Sequence, residues 1–172
     1  YQWKLEGIDI PGANNNTLVL NNLQYSQTGN YSCVMTNSCG IVFSDQVPVT
    51  INRDPQIVTQ SQSQIRCETE LITLEVVATG DSLNYQWYKN GIAITGANNS
   101  VYEITSALAA DGGTYECFVS NTCDNDMSDP IVLTVYRLPE VVVQPVSKTR
   151  CEEDTVSFSI TPDGDQLSFQ WY

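Results

Sequence analysis

Tyr85-Gln86-Trp87-Tyr88-Lys89-Asn90-Gly91-Ile92-Ala93-Ile94-Thr95-Gly96-Ala97-Asn98-Asn99 has an earlier copy in this chain that keeps 10 of its 15 residues, and its opening returns a third time with Phe for Tyr. An earlier copy runs from Tyr1-Gln2-Trp3 through Gly7-Ile8 and Ile10 to Gly12-Ala13-Asn14-Asn15, and the opening returns as Phe169-Gln170-Trp171. Trp3, Trp87 and Trp171 each lie 84 residues from the next. The cysteines keep that step, from Cys33 to Cys117, Cys39 to Cys123 and Cys67 to Cys151. Arg66-Cys67-Glu68 likewise returns as Arg150-Cys151-Glu152. Ungapped agreement of this density marks a tandem repeat, one structural unit copied along the chain.

Working outward from that stretch, the repeat reads as all-β. Val156, Phe158 and Ile160 alternate with Thr155, Ser157 and Ser159, the period of a half-buried strand. Leu74 and Val76 hold the matching places one repeat earlier, with Glu75 between them toward water. Tyr102 and Ile104 mark another strand, Tyr115, Cys117 and Val119 a third, and Ile131, Leu133 and Val135 a last one pointing inward. Gly80-Asp81, Asn90-Gly91, Asp111-Gly112-Gly113 and Asp124-Asn125-Asp126 supply turns between them. About seven short strands in each repeat, with no helical periodicity, predict an antiparallel sandwich. Strand runs end near Ile51 and Tyr136, each soon followed by a proline (Pro55, Pro139). One complete repeat therefore spans 53–136, with 1–52 the later part of a preceding repeat and 137–172 the earlier part of a third.

Composition narrows the chemistry. Twenty acidic and 7 basic residues give a net charge of −13, which disfavours binding to nucleic acid and to anionic membrane surfaces. Such a surface is expected to be a solvated acidic coat. Histidine is absent, which removes Ser-His and Cys-His nucleophilic pairs and the commonest zinc ligand. No stretch approaches the ~20 apolar residues of a membrane-spanning helix, so no direct membrane insertion is expected. Six cysteines in an acidic β chain rich in Asn, Ser and Thr point to an oxidising compartment.

Asp111-Gly112-Gly113-Thr114-Tyr115-Glu116-Cys117 resembles the D-x-G-x-Y-x-C signature that opens strand F of immunoglobulin domains. Ala78-Thr79-Gly80, Tyr85–Gly91 and Thr36-Asn37-Ser38-Cys39-Gly40 are similar to the immunoglobulin-like repeats of large secreted Bacteroidota proteins, among them surface adhesins, gliding-type filaments and type 9 secretion cargo. The resemblance implies tandem immunoglobulin-like antiparallel β-sandwiches. It makes Trp3, Trp87 and Trp171 strand-C core tryptophans, and Tyr31 and Tyr115 tyrosine corners. Gly29 and Gly113 would relieve that turn of a side chain. Gln27 stands where the second repeat has Asp111, so the first turn is expected to lack a stabilising carboxylate.

The cysteines depart from the family pattern. The strand-B partner expected about eleven residues before the tryptophan is replaced by Val76 and Ile160. Cys33 and Cys117 are then expected as buried thiols packing like small hydrophobes. Cys67 and Cys123 fall at opposite ends of one repeat, too far apart to bond. An inter-repeat disulfide drawn from Cys39, Cys67, Cys123 and Cys151 is the alternative to unbonded thiols.

Other constellations are weak. Asp124, Asp126 and Asp129 concentrate oxygen ligands in one loop, and Glu152-Glu153-Asp154 does so near a domain end. Calcium is the cation they would suit, but the first repeat has Gly40-Ile41-Val42 in place of the acidic loop, and a solvated loop is the plainer reading. No other metal or cofactor is implied. Asp163 and Asp165 flank Gly164 in a turn with no cleft implied, so an acid–base site is not expected there. Asn15-Asn16-Thr17, Asn30-Tyr31-Ser32 and Asn98-Asn99-Ser100 match the N-glycosylation pattern. Asp81-Ser82-Leu83 and Asp154-Thr155-Val156 resemble the O-glycosylation pattern of Bacteroidota, which makes Ser82 and Thr155 the candidates the resemblance favours.

The expectation is a non-catalytic stalk or filament segment of a large extracellular repetitive surface protein or adhesin. Its partners would be neighbouring repeats of the same chain or filament copies. A glycan- or protein-binding module, or accessory domains of a secreted enzyme, are the alternatives.

Overall fold

Strands form wherever apolar residues alternate, and the repeat step carries from the sequence into backbone pairing. The computed structural model describes all residues, 1–172. Contacts divide the chain into two units: Tyr1–Asp54 with Gly80–Ser82, and Pro55–Thr79 with Leu83–Tyr172.

The first unit holds β1 (Gln2–Leu5), β2 (Ile8–Asp9), β3 (Gly29–Asn37), β4 (Gly40–Phe43) and β5 (Val47–Val49). They make one antiparallel sheet, ordered β2-β1-β3-β4, with β5 also on β3. In the second unit β6 (Gln56–Gln60), β7 (Gln64–Cys67), β8 (Ile72–Thr79), β9 (Asn84–Lys89), β10 (Ile92–Ala93) and β11 (Val101–Ile104) come first. They are followed by β12 (Gly113–Ser120), β13 (Asn125–Met127), β14 (Ile131–Tyr136), β15 (Glu140–Val143) and β16 (Thr161–Asp163). One sheet is ordered β10-β9-β12-β14-β7, with β13 on β12, and the other β11-β8-β6. All pairs are antiparallel except β14 with β7. β15 and β16 form a separate two-stranded ladder.

Strands β6 to β14 thus make a two-sheet sandwich. Ile72, Leu74 and Val76 from β8 are buried opposite Trp87, Tyr115, Cys117, Val119, Ile131 and Leu133. Trp87 is fully buried, and its indole N–H donates to the carbonyl of Asn99 at 2.9 Å. The Trp87 amide donates to Ala97 O at 3.0 Å, which docks the Gly96-Ala97-Asn98-Asn99 turn under the ring. Trp3 makes the same two bonds, to Asn15 O and Ala13 O at 3.0 Å each. The repeated motif is therefore a tryptophan with the loop that satisfies its polar atom, as a buried indole requires.

The tyrosine hydroxyls close the same turn in both repeats: Tyr115 donates to Asp111 O and Tyr31 to Gln27 O, each at 2.7 Å. The first turn lacks the carboxylate, but Gln27 keeps its hydrogen bond. Asp111 accepts from the Leu108 amide at 2.8 Å, and Gln27 Oε1 accepts from the Gln24 amide at 2.7 Å, since an amide oxygen serves that geometry as well as a carboxylate. Gly113 (φ +156°) is required where it stands, because a Cβ there would lie 2.9 Å from Asn90 Oδ1, which accepts from the Thr114 amide.

Two expectations are not met. Trp171 is 58% exposed where the resemblance made it a core residue, and Trp3 is half-buried. The alternating stretch 155–160 forms no strand, whereas its counterpart within β8 pairs with β11.

No two cysteines stand at disulfide distance. Cys33 and Cys117 are buried, with their amides donating to Ser44 Oγ and Ser128 Oγ at 2.8 Å. Burial pushes the Cys117 thiol up to about 12. Cys67 ends β7 beside Tyr136, and Cys123 follows the far end of β12; the eight residues of that strand separate them by more than ~20 Å.

Trp87→Ala should destabilise the 53–136 sandwich by about 3–5 kcal/mol, read from the denaturation midpoint. In the native chain at pH 8, iodoacetamide should label the exposed Cys39, Cys67 and Cys151 while sparing Cys117, because the thiolate is the reacting form; peptide mass mapping with and without denaturant measures this.

Candidate functional site

Most residues singled out from the sequence are not gathered into a site. Asp126 Oδ2 accepts from the Ile57 amide at 2.7 Å and Oδ1 from Met127 at 2.9 Å, while Asp124 Oδ1 accepts from Asn125 at 2.8 Å. Asp129 is held through its own amide, which donates to Gln60 Oε1 at 2.8 Å. Of the calcium candidates, Asp124 and Asp126 thus hold backbone amides, and no group of three or more His, Cys, Asp or Glu side chains is assembled around Asp124, Asp126 and Asp129. Ser82 and Thr155 are exposed. Cys39, Cys67, Cys123 and Cys151 are exposed in turns or at a strand end.

What the fold does assemble, at the 84-residue step, is a clasp on each linker. Arg53, at the start of the central repeat, donates from its amide to Asp81 Oδ2 at 2.8 Å. Its guanidinium adds Nε to Oδ2 and Nη2 to Oδ1, both at 3.0 Å, a bidentate fork. Asp81 returns a bond from its own amide to Arg53 O at 3.3 Å. The guanidinium also lies 4.7 Å from the ring centroid of Tyr25, a cation–π distance.

One step later, the Arg137 amide donates to Asp165 Oδ2 at 2.7 Å, and the Asp165 amide to Arg137 O at 3.2 Å. Here the guanidinium reaches two carboxylates, Asp163 Oδ1 at 2.7 Å and Asp165 Oδ1 at 3.5 Å. The pair Asp163 and Asp165 is thus a cradle for Arg137. Between them Gly164 (φ +122°) lets the linker approach, since a Cβ there would come 2.7 Å from Leu138 O. The other side of this linker is fixed by Glu68, which accepts from the Ala109 amide at 3.1 Å and the Leu138 amide at 3.3 Å. The Glu68 amide donates to Tyr136 O at 2.8 Å. Successive linker residues, Tyr136 to Leu138, are therefore each bound.

Sequence reasoning passed over this clasp. The linkers were marked by Pro55 and Pro139 alone, although Arg-x-Pro linkers and Gly-Asp turns both recur at the step that located the cysteines.

The Arg53 guanidinium and the bonds it makes hold the Asp81 carboxyl down to about 2, and Asp163 is lowered by the Gly164 amide and Arg137. A depressed carboxylate contributes above its unfolded value, near 3.9, and its contribution is lost as pH falls through the folded value. The Arg53 clasp should accordingly persist at pH 4 and open near pH 2. Amide hydrogen exchange would show this: Asp81→Asn and Asp165→Asn should speed exchange at Arg53 and Arg137 respectively, with β12 amides unchanged.

Residues 54–121 match the family model of the immunoglobulin domain. The chain is 26% identical over 182 residues to the human mucosa-associated lymphoid tissue lymphoma translocation protein 1, covering 96% of this chain and 21% of that protein. It superposes on the titin I-band fragment I67–I69 with a TM-score of 0.66 at 20% identity, covering 84% of this chain and 57% of the fragment. Extracellular domains 3–5 of Drosophila OTK give a TM-score of 0.55 at 24% identity, covering 78% of this chain and 50% of theirs. With Trp87 enclosed between two antiparallel sheets and the tyrosine corner at Tyr115, the chain has the fold of immunoglobulin-like β-sandwich repeats in tandem.

Proposed function

We propose that this chain is a non-catalytic spacer, a stalk or filament segment of a large repetitive protein on the outside of a cell. The observation that carries this reading is the recurrence of the linker clasp, Arg53 with Asp81 and Arg137 with Asp165, at the same step as the core motif. A spacer needs its joints specified, whereas a receptor needs only one differentiated surface, and here the joint is what the repeat preserves. The acidic surface agrees with an exported, hydrated array. The likeness of Thr36–Gly40 and Tyr85–Gly91 to repeats of Bacteroidota surface proteins supports the same placement, with type 9 secretion as the export route. In that setting Ser82 and Thr155 are modification sites, and Cys39, Cys67 and Cys151 are available for bonds between repeats.

The test is small-angle scattering on chains of one, two and four 84-residue repeats. Maximum dimension should grow in proportion to repeat number, and replacing each linker arginine by alanine should lower that slope. A dimension that levels off with added repeats would remove the spacer reading.

A further inference from the structure

Asn90-Gly91 is the one Asn-Gly pair in the chain, and it forms the whole of the turn between β9 and β10, with Lys89 paired to Ile92 across it. Both residues sit at positive φ, +50° for Asn90 and +76° for Gly91, as a two-residue hairpin turn requires. Asn-Gly is also the dipeptide in which an asparagine side chain is most open to attack by the following backbone nitrogen, because glycine puts no Cβ beside that nitrogen.

The fold ties this side chain down. The Asn90 amide donates to Thr114 O at 2.8 Å, and the Thr114 amide donates to Asn90 Oδ1 at 2.9 Å. Past Lys89 opposite Tyr115, the side chain thus stands in for one further backbone carbonyl and closes a last rung between β9 and β12. The sheet order β10-β9-β12 sets the two groups apart: the side-chain carbonyl is drawn toward β12, whereas Gly91 leads away to β10 on the other side of β9. Gly113 leaves the side chain its place, since a Cβ there would lie 2.9 Å from Asn90 Oδ1 and 3.0 Å from Nδ2. The first repeat builds the same rung from a different residue. The Glu6 amide (φ +49°) donates to Asn30 O at 2.9 Å, and Glu6 Oε1 accepts from the Asn30 amide at 2.6 Å. A carboxylate therefore fills the acceptor position as well as an amide does.

We propose that Asn90 is a deamidation site gated by this rung, which reacts when the β9–β10 hairpin opens and leaves a permanent mark of the opening. In the reaction Gly91 N attacks Asn90 Cγ, the Cγ–Nδ2 bond breaks, and ammonia leaves with the proton of the attacking nitrogen. Water then opens the resulting succinimide. Cleavage between Cγ and the glycine nitrogen gives aspartate; cleavage between the main-chain carbonyl and that nitrogen gives isoaspartate. Aspartate keeps an acceptor for the Thr114 amide, as Glu6 does for Asn30. Isoaspartate runs the main chain through the side-chain methylene, which lengthens the turn and shifts Lys89 out of register with Ile92. The reaction consumes only water and is independent of the spacer role, which concerns the linkers.

The chain is incubated at pH 8, native and in denaturant, and peptide mapping follows the succinimide, aspartyl and isoaspartyl forms at Asn90. In denaturant Asn90 should convert ahead of every other asparagine. In the native chain it should convert at least about tenfold more slowly, the protection expected of a hydrogen bond broken only by local opening. Urea below the unfolding transition should raise the native rate in parallel with hydrogen exchange at the Thr114 amide, because one opening exposes both. Gly113→Ala, which presses on the side chain, should raise the native rate at least about fivefold by favouring that opening. Asn90→Glu should show no conversion while the Thr114 amide stays protected. If Gly113→Ala unfolds the sandwich, seen as lost protection along β12, the urea series decides alone. Native conversion as fast as in denaturant overturns the proposal. So does conversion that rises in urea while Thr114 exchange does not, and so does a folded Gly113→Ala chain that converts no faster than its parent.

Discussion

Trp87 is held between two sheets with its ring nitrogen bonded to Asn99 O and its amide to Ala97 O, and the rest of the repeat is arranged around that enclosure. A large indole contributes most when every side is covered and its one polar atom has a partner, so the turn at 96–99 and the strands β8 and β12 must all be in register for it to count. Tyr102 lies 6.3 Å from it, and Tyr115 6.0 Å from Tyr102, so the aromatic cluster runs along the sandwich to the tyrosine corner. The first repeat builds the same arrangement of indole and turn, with Trp3 bonded to Asn15 O and Ala13 O.

The sandwich manages without a covalent bond between its sheets. Val76 occupies the position where a partner to Cys117 would stand, and the thiol is packed as a small apolar group whose ionisation burial suppresses. Cohesion between the sheets therefore rests on packed area and on buried polar atoms finding partners. Ser128 illustrates the second requirement, a buried hydroxyl bonded to the Cys117 amide; the exposed Ser44 makes the same bond to Cys33. No buried side-chain nitrogen or oxygen is left without a partner.

The linker clasps follow a different logic, because they are exposed. An isolated surface ion pair holds little, since solvent screens it and two long side chains must be ordered. Arg53 and Arg137 differ from that case in being bound through backbone and side chain at once, so the carboxylate fixes the chain direction as well as the charge. Gly164 shows the steric side of the same constraint, admitting Leu138 O where any side chain would exclude it.

The 84-residue step and the period-2 alternation determined the all-β class, the central repeat 53–136, its inward residues and the lack of a strand-B cysteine, because each depends on local spacing alone. That information could not tell whether an alternating stretch finds a neighbour. Val156, Phe158 and Ile160 alternate as well as Ile72, Leu74 and Val76 do, yet only the latter form a strand, since a strand exists through hydrogen bonds to another strand. Gln27 and the linker arginines were hidden for another reason. Their roles are set by where a single oxygen or guanidinium meets a backbone amide brought from 3 to 28 residues away, and residue type does not report that meeting. Pattern along the chain decided which faces are apolar; only the tertiary structure decided which of them are covered, because coverage is a property of two segments and sequence spacing is a property of one.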